Sequence, residues 1–204
     1  MLMSLRSLAF LGLTAAMSPT AVMAQAADPA RATVQQLSDS LIAASKGGAK
    51  LGFSGRTALL RPTVTRSFDL PLMTRLIIGA PWAKLSSADQ EAITAAFTRL
   101  TIAQYAGNFK SFSGQSFTVA PQVEARAADR LVRSTLNQPG KAGIPIGYRL
   151  RSSGGQWKII DVFYNNAISQ LATRRADYAT ILSSKGAKAL VEHIDALTAK
   201  AAKS

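Results

Sequence analysis

The sequence predicts an α+β domain in which helices pack on one face of an antiparallel sheet of about four strands. Two observations lead to this fold class. Apolar residues recur every three or four positions over residues 34–111, as in helices, and then alternate at every second position over residues 117–165, as in strands. Helical spacing returns after residue 168, so the predicted order is helices, a strand meander and helices again.

Three helical segments are predicted at the start of this region. The first runs from residue 34 to a Lys-Gly-Gly sequence at 46–48, and a loop follows it. The second covers residues 57–68 and is interrupted or started at Pro62. Asp69 is expected to cap the third through its side chain, and Gly79 is expected to end it.

A long helix is then predicted from Ser86, a residue type that caps helices, to about residue 111. Trp82 lies in the connection that precedes it. Phe97, Tyr105 and Phe109 recur at helical spacing and give the helix one aromatic side. We expect this side to pack against the apolar face of the sheet.

Four strands and two closing helices follow. The strands are predicted at residues 117–123, 130–136, 144–151 and 156–165, and the helices at residues 168–183 and 187–200. A Ser-Ser-Gly-Gly sequence at 152–155 is typical of a tight turn. The third and fourth strands are therefore expected to form an antiparallel hairpin.

One face of the predicted sheet is apolar. Ile146, Tyr148 and Leu150 share a face of the third strand and alternate with glycine and arginine residues. The inward set of the fourth strand is either Trp157, Ile159 and Phe163 or Ile160, Val162 and Tyr164. We favour the second set, because the first alternates in phase with Asp161 and is more polar.

The first 24 residues predict a secretory signal peptide. Arg6 precedes an apolar stretch at residues 8–17 that is too short to span a bilayer, and small residues lead up to Ala24. Cleavage is expected after about Ala24, or alternatively after Ala26. The alternative to a signal peptide is an uncleaved membrane anchor. Cleavage would leave residues 25–204 as a single domain in the periplasm.

Composition excludes several functional classes. The chain has no cysteine and a single histidine, His193, which excludes disulfides, thiolate chemistry and clustered Cys/His metal sites. We predict neither a metal nor another cofactor. The net charge of +13 would attract any polyanion. For an exported protein an anionic membrane surface is a better candidate partner than nucleic acid, and no nucleic-acid partner is predicted.

Catalytic motifs are also missing. The sequence contains neither a phosphate-binding loop nor a Gly-x-Ser-x-Gly turn. Asp69 and Asp161 are candidate acids for a hydrolase, but nothing in the sequence brings them face to face. We expect Asp69 to cap its helix and Asp161 to pair with an arginine such as Arg174 or Arg175. No catalytic residue is therefore predicted.

These residues resemble the MlaC/toluene-tolerance family of periplasmic lipid carriers over nearly all of the chain after the signal peptide. The matching motifs, in chain order, are Phe68-Asp69, Met73-Thr74-Arg75, Gly79, Trp82, Leu85-Ser86, Phe97, Tyr105, Tyr148-Arg149-Leu150, residues 157–162, Ile168-Ser169 and Arg174-Arg175. Residues 68–75, 112–114 and 168–175 are most similar to the HpnM branch, which is associated with hopanoid biosynthesis. Ala167 stands where the family usually has a glycine.

The resemblance implies a non-enzymatic carrier with an apolar lipid cavity between sheet and helices. The cargo would be a hopanoid or a glycerophospholipid, moved between the inner and outer membranes. Partners would be an inner-membrane transporter of the ABC type with an MCE component and an outer-membrane lipoprotein complex. The predicted lipid-binding residues are Phe68, Met73, Leu76, Ile77, Trp82, Phe97, Leu100, Tyr105, Phe109, Ile146, Tyr148, Leu150, Ile160, Val162, Tyr164, Ile168 and Leu171.

Two alternatives stand beside the carrier. The first is a periplasmic enzyme that modifies the envelope through Asp69, Asp161 or His193. The second is a structural protein with a solid core that bridges envelope complexes. Helix-on-sheet packing produces the same periodicity with or without a void, so periodicity alone leaves all three open.

Overall fold

The computed structural model describes residues 28–203. Within them, helices and strands follow one another in the predicted order. The elements are α1 (Pro29–Ser67), α2 (Leu70–Ile78), a 3₁₀ helix (Ala80–Lys84), α3 (Ser87–Asn108), β1 (Ser116–Arg126), β2 (Asp129–Asn137), β3 (Ile144–Ser153), β4 (Gln156–Tyr164), β5 (Ile168–Ser169) and α4 (Gln170–Lys203). The predicted signal peptide, residues 1–24, lies outside the described residues.

The strands form one open antiparallel sheet with the order β1-β2-β3-β4-β5. Each strand pairs with its neighbour in the chain, so the sheet is a meander, and the helices pack on its apolar face. The predicted α+β fold class is confirmed. The two-residue strand β5, in which Ile168 pairs with Tyr164, was not predicted because two residues are too few to show alternation.

The predicted loop after the first helix is a kink instead. Gly48 (φ 41°, ψ −126°) and Gly52 (φ 61°, ψ −177°) leave helical geometry, and the helix resumes directly after them. Both glycines have the positive φ that side-chain-bearing residues avoid. The second helical segment therefore begins well before residue 57, and Pro62 lies inside it.

A buried arginine holds this kink against α3. Arg56 is 7% exposed, and its Nε donates to the carbonyl oxygen of Ala106 at 2.8 Å while Nη1 donates to that of Gly48 at 2.9 Å. Gly48 ends one helical segment and Ala106 lies in the last turn of α3. Carbonyl groups at helix C-termini carry partial negative charge, so they can stabilise a buried cation without a carboxylate.

Side-chain caps begin the next two helices, as predicted. The Asp69 carboxylate accepts a hydrogen bond from the Leu72 N–H at 3.1 Å, and Gly79 ends α2. The Ser86 hydroxyl accepts one from the Asp89 N–H at 3.1 Å and donates to the Asp89 carboxylate at 2.7 Å. Helix α3 ends at Asn108, three residues before the predicted end.

A β-bulge decides which residues of β4 face the helices. Tyr148 pairs with Val162 and Arg149 with Asp161, but Leu150 pairs with Ile159, so Ile160 is an extra residue on β4. The alternation therefore changes phase at Ile160. Ile159, from the first predicted inward set, and Val162, from the second, both lie on the Tyr148 face. The first set is therefore correct before the bulge and the second set after it.

Helix α4 has the predicted break. Gly186 (φ 81°, ψ 179°) interrupts it between the two segments that were predicted as separate helices. Among residues 28–203, we find no helix with the length and apolar character needed to cross a membrane.

Candidate functional site

A cavity lies between the apolar face of the sheet and helices α1, α3 and α4. The empty space within and in front of it, open solvent at the mouth included, is about 840 Å³. The residues that line it are Leu41, Phe68, Met73, Phe97, Thr101, Gln104, Tyr105, Asn108, Phe109, Phe117, Leu136, Ile146, Tyr148, Val162, Tyr164, Gln170 and Arg174.

Four aromatic rings form a continuous row along one wall. Ring centroids are 5.7 Å apart between Phe68 and Tyr105, 6.3 Å between Tyr105 and Phe109, and 6.0 Å between Phe109 and Phe117. These spacings are typical of favourable aromatic pairs. The row joins the end of α1, the last turns of α3 and the start of β1 into one apolar surface.

Two tyrosines of the cavity, Tyr105 and Tyr148, are uncharged. Burial raises the pKa of the Tyr148 phenol, and the neighbouring phenol of Tyr164 raises it further, against a smaller opposite effect of Ser134. Burial likewise raises the pKa of Tyr105 well above its usual value. Both phenols therefore keep their protons at any physiological pH. The aromatic wall presents no anion to a ligand.

Polar side chains line the cavity beside the aromatic row. Thr101, Gln104 and Asn108 lie at i, i+3 and i+7 of α3 and so share a helix face, and Gln170 and Arg174 of α4 stand across from them. The Arg174 Nη2 donates to Gln104 Oε1 at 2.6 Å, which joins the two helices. The cavity is thus amphipathic, with one apolar wall and one polar rim.

The candidate catalytic carboxylates have structural partners. Asp69 caps α2. Asp161 accepts hydrogen bonds from Ser169 Oγ at 2.6 Å and from the Leu171 N–H at 3.2 Å, so its predicted ion pair with Arg174 or Arg175 is wrong. The reason is that Asp161 lies beside the start of α4, whose free N–H groups attract a carboxylate.

The histidine and the carboxylates do not gather into a cluster of three or more in the part of the chain that the structure describes. We find no group of three or more His, Asp or Glu residues there that could hold a metal ion. His193 meets the ring of Tyr178 edge-on, with centroids 6.4 Å apart. It lies on α4 and is not among the residues that line the cavity.

A family comparison agrees with this architecture. The family model described as "MlaC protein" matches residues 35–196, which is most of the chain. The chain belongs to the MlaC family. The resemblance recognised in the sequence is confirmed at this level, while the narrower resemblance to the HpnM branch stays a prediction.

A solved structure is similar to this MlaC protein over most of its length. It is a phospholipid-binding protein from Ralstonia solanacearum, determined in complex with a phospholipid. The two sequences are 26% identical, the match covers 86% of this chain and 99% of the other, and the TM-score is 0.74. The two proteins share a fold throughout the matched region.

Nine of the seventeen residues predicted to bind lipid line the cavity of this MlaC protein. They come from the end of α1, from α2 and α3, and from the inner face of β3 and β4. These residues are Phe68, Met73, Phe97, Tyr105, Phe109, Ile146, Tyr148, Val162 and Tyr164. Their contact with lipid stays a prediction, since only their position is observed.

The other eight do not line the cavity. Some fill the solid core, where every side is covered by protein, namely Ile77, Leu100, Leu150, Ile160 and Leu171. Leu76 and Trp82 are partly buried and pack against the edge of the core. Ile168 is 55% exposed on the edge strand β5. These residues were predicted from apolar periodicity or from the family motifs. Neither signal distinguishes a cavity wall from a core contact.

Eight lining residues were not predicted. Three are apolar, namely Leu41, Phe117 and Leu136, and five are polar, namely Thr101, Gln104, Asn108, Gln170 and Arg174. One sequence feature would have found part of the polar set. Thr101, Gln104 and Asn108 lie on the same side of α3 as Phe97 and Tyr105, so polar residues interrupt a face that is otherwise buried.

A second hollow lies on the outer face of the sheet. Gly147, Leu131 and Phe163 contribute to its surface, with arginines including Arg133 and Arg149 around it. Those two arginines already bind carboxylates, Arg133 that of Glu124 and Arg149 that of Asp129. We therefore regard the inner cavity as the candidate site.

Proposed function

We propose that this protein is a non-catalytic lipid carrier, a single domain of residues 25–204 that holds the tails of one lipid in the inner cavity. The observation that carries the proposal is the amphipathic cavity itself, with an aromatic wall beside a polar rim. Such a cavity suits a molecule with a long apolar part and a polar head. The phospholipid bound to the structurally similar Ralstonia solanacearum protein supports the same assignment.

A carrier of this kind removes a large barrier. Each methylene exposed to water costs about 0.8 kcal/mol, so a sixteen-carbon chain costs roughly 12 kcal/mol to leave a membrane unassisted. The aromatic row from Phe68 to Phe117 supplies apolar surface that can replace the membrane interior. Release then requires a partner that favours an emptied or opened state.

The proposed location is the periplasm, reached through the signal peptide of residues 1–24. Membership of the MlaC family supports this location. We propose that the carrier moves lipid between inner and outer membranes. Its partners would be an inner-membrane transporter of the ABC type with an MCE component and an outer-membrane lipoprotein complex.

Two cargo classes fit the proposal in outline. A glycerophospholipid is supported by the ligand of the similar structure, and a hopanoid by the resemblance of residues 68–75, 112–114 and 168–175 to the HpnM branch. Both would place an apolar tail on the aromatic wall. The two classes differ in the charge of the group that would meet the polar rim.

The carrier proposal is tested on protein purified from its own periplasm. Native mass spectrometry of the mature chain should show a bound mass, and organic extraction followed by lipid mass analysis should identify it as a hopanoid or a phospholipid in about stoichiometric amount. The matched control is the same sample after delipidation. An unbound mass that persists after incubation with both lipid classes would contradict the proposal and favour a scaffold or an enzyme.

A further inference from the structure

We infer that Arg174 is the residue of this cavity that selects the headgroup of the cargo, by binding its phosphate ester. The inference rests on the proposed function, because it assigns a role within the same cavity. It selects between the two cargo classes by the charge that each presents at the polar rim.

The Arg174 guanidinium lies where the apolar and polar surfaces of the cavity meet. Its central carbon lies 5.5 Å from the centroid of the Phe97 ring, and Nη2 donates to Gln104 Oε1 at 2.6 Å. Two contacts thus hold the planar group at the border between the apolar wall and the polar rim. Arg174 lines the cavity and is half-buried there. The bond to Gln104 uses one of its five N–H donors.

Arg174 has no carboxylate partner among the residues that the structure describes. Within residues 28–203, no Asp or Glu oxygen lies within 4.0 Å of its nitrogen atoms, whereas Arg99, Arg133, Arg149 and Arg151 each have one. A half-buried cation is partly desolvated, and here the Gln104 side-chain oxygen and the Phe97 ring offset its charge without an anion. A ligand anion in the cavity would supply the missing negative charge.

The rim around Arg174 also suits a negatively charged group. The side chains beside Arg174 are the uncharged Thr101, Gln104, Asn108 and Gln170, so no carboxylate of the rim would repel an anion. Guanidinium binds phosphate oxygens through two parallel hydrogen bonds, a geometry that a lone hydroxyl cannot complete. A neutral polycyclic lipid would leave the charge of Arg174 unpaired, whereas a phospholipid would pair it.

The test compares two lipids that differ only in the phosphate headgroup. Delipidated mature protein is loaded from micelles that contain equal amounts of dipalmitoylphosphatidylglycerol and dipalmitoylglycerol, and native mass spectrometry gives the ratio of the two bound species. We expect the native protein to prefer the phospholipid by about tenfold or more. Arg174→Gln should reduce this preference to about one. Arg175→Gln, which removes the same charge from the exposed neighbouring position, should retain it.

A second variant and a soluble competitor also test the role of Arg174. Arg174→Met retains the apolar stem over Phe97 and should lose the preference with an unchanged melting temperature. Glycerol 3-phosphate, which has no tails, should compete poorly with the phospholipid. Tight, Arg174-dependent binding of glycerol 3-phosphate alone would mean a site for soluble phosphate esters and would overturn the headgroup assignment.

Headgroup preference and lipid loading are measured separately, so the role of Arg174 and the carrier function can fail independently. Equal loading of the two lipids by the native protein, or a preference that survives in folded Arg174→Gln or Arg174→Met, would overturn the headgroup assignment and leave the carrier function in place. Failure of the native protein to load any lipid would overturn both.

Discussion

The hydroxyl of Ser169 donates a hydrogen bond to the Asp161 carboxylate at 2.6 Å and accepts one from the Ala172 N–H at 2.9 Å. Asp161 also accepts from the Leu171 N–H. Strand β4 and the first turn of α4 are thereby joined through one side-chain pair. Val162 follows Asp161 on β4 and Arg174 lies on α4, and both line the cavity, so the joint connects two of its walls.

Replacing Asp161 by alanine should therefore destabilise the fold. The change leaves the Leu171 N–H and the Ser169 hydroxyl without their acceptor, and we expect a loss of about 1–3 kcal/mol in the free energy of unfolding. Urea titration followed by circular dichroism measures it. Asp177→Ala, at an exposed position of helix α4, is the control. Its free energy of unfolding should stay within about 0.5 kcal/mol of that of the native protein. Equal effects of the two changes would argue against the joint.

Arg56→Leu should also destabilise the protein, although no carboxylate is involved. The carbonyl groups of Gly48 and Ala106 would lose their buried donor, at a cost of about 1–3 kcal/mol each when no water replaces it. Thermal unfolding of the variant measures the effect. Arg61→Leu removes the same charge from an exposed position of α1 and should unfold like the native protein; a similar loss there would assign the effect to net charge.

Asp129 should make stability depend on pH in acid. Hydrogen bonding from Arg151 lowers the pKa of this carboxyl, burial opposes the shift, and Arg149 adds to the lowering. A lowered folded-state pKa contributes stability above the unfolded value of about 3.9, and the contribution is lost as the pH falls through the folded pKa. Asp129→Asn should therefore cost about 1–2 kcal/mol at pH 7, since both arginines are partly exposed.

The acid dependence distinguishes this ion pair from a packing effect. The difference in unfolding free energy between native protein and Asp129→Asn should shrink as the pH falls below about 4, which urea titrations at several pH values measure. Glu124→Gln alters a more exposed carboxylate on the same sheet face and should have a smaller effect. A difference that is constant with pH would contradict the assignment.

Ile146→Trp should prevent lipid loading while the protein remains folded. Ile146 lies on the cavity floor, and the larger ring would occupy space intended for a lipid tail, with a stability loss of about 1–3 kcal/mol. Lipid occupancy by native mass spectrometry should fall at least about tenfold. Leu131→Trp, on the outer face of the sheet, should load normally. Normal loading of Ile146→Trp would show that lipid binds elsewhere.

Local patterns predicted most of the secondary structure correctly. The caps at Asp69 and Ser86 and the break at Gly186 depend on bonds or torsions within a few residues. The phase of β4 was harder, because the bulge at Ile160 is a property of its pairing with β3 and leaves no mark in the alternation of β4 alone. Periodicity could not show that both candidate faces contribute.

The residues predicted to bind lipid divide between the cavity and the core. Tyr148 and Val162 border the cavity, whereas Leu150 and Ile160, with the same apolar character on the same strands, lie in the core. The predicted list of lipid-binding residues also lacked the polar residues that line the cavity. Thr101, Gln104 and Arg174 were not included, because a polar residue in a helix is ordinarily expected to face solvent.

The sequence by itself determined the fold class, the order of elements and the family, since hydrophobic period, capping residues and motifs are all encoded within short segments. Only the tertiary structure decided that Asp161 binds the start of α4 and that Arg174 meets Gln104 across the cavity. Gln104 and Arg174 are seventy residues apart in the chain. Whether two such side chains enclose a cavity or pack into a solid core depends on how helices and sheet are spaced, and that spacing arises from the sum of contacts across the whole fold.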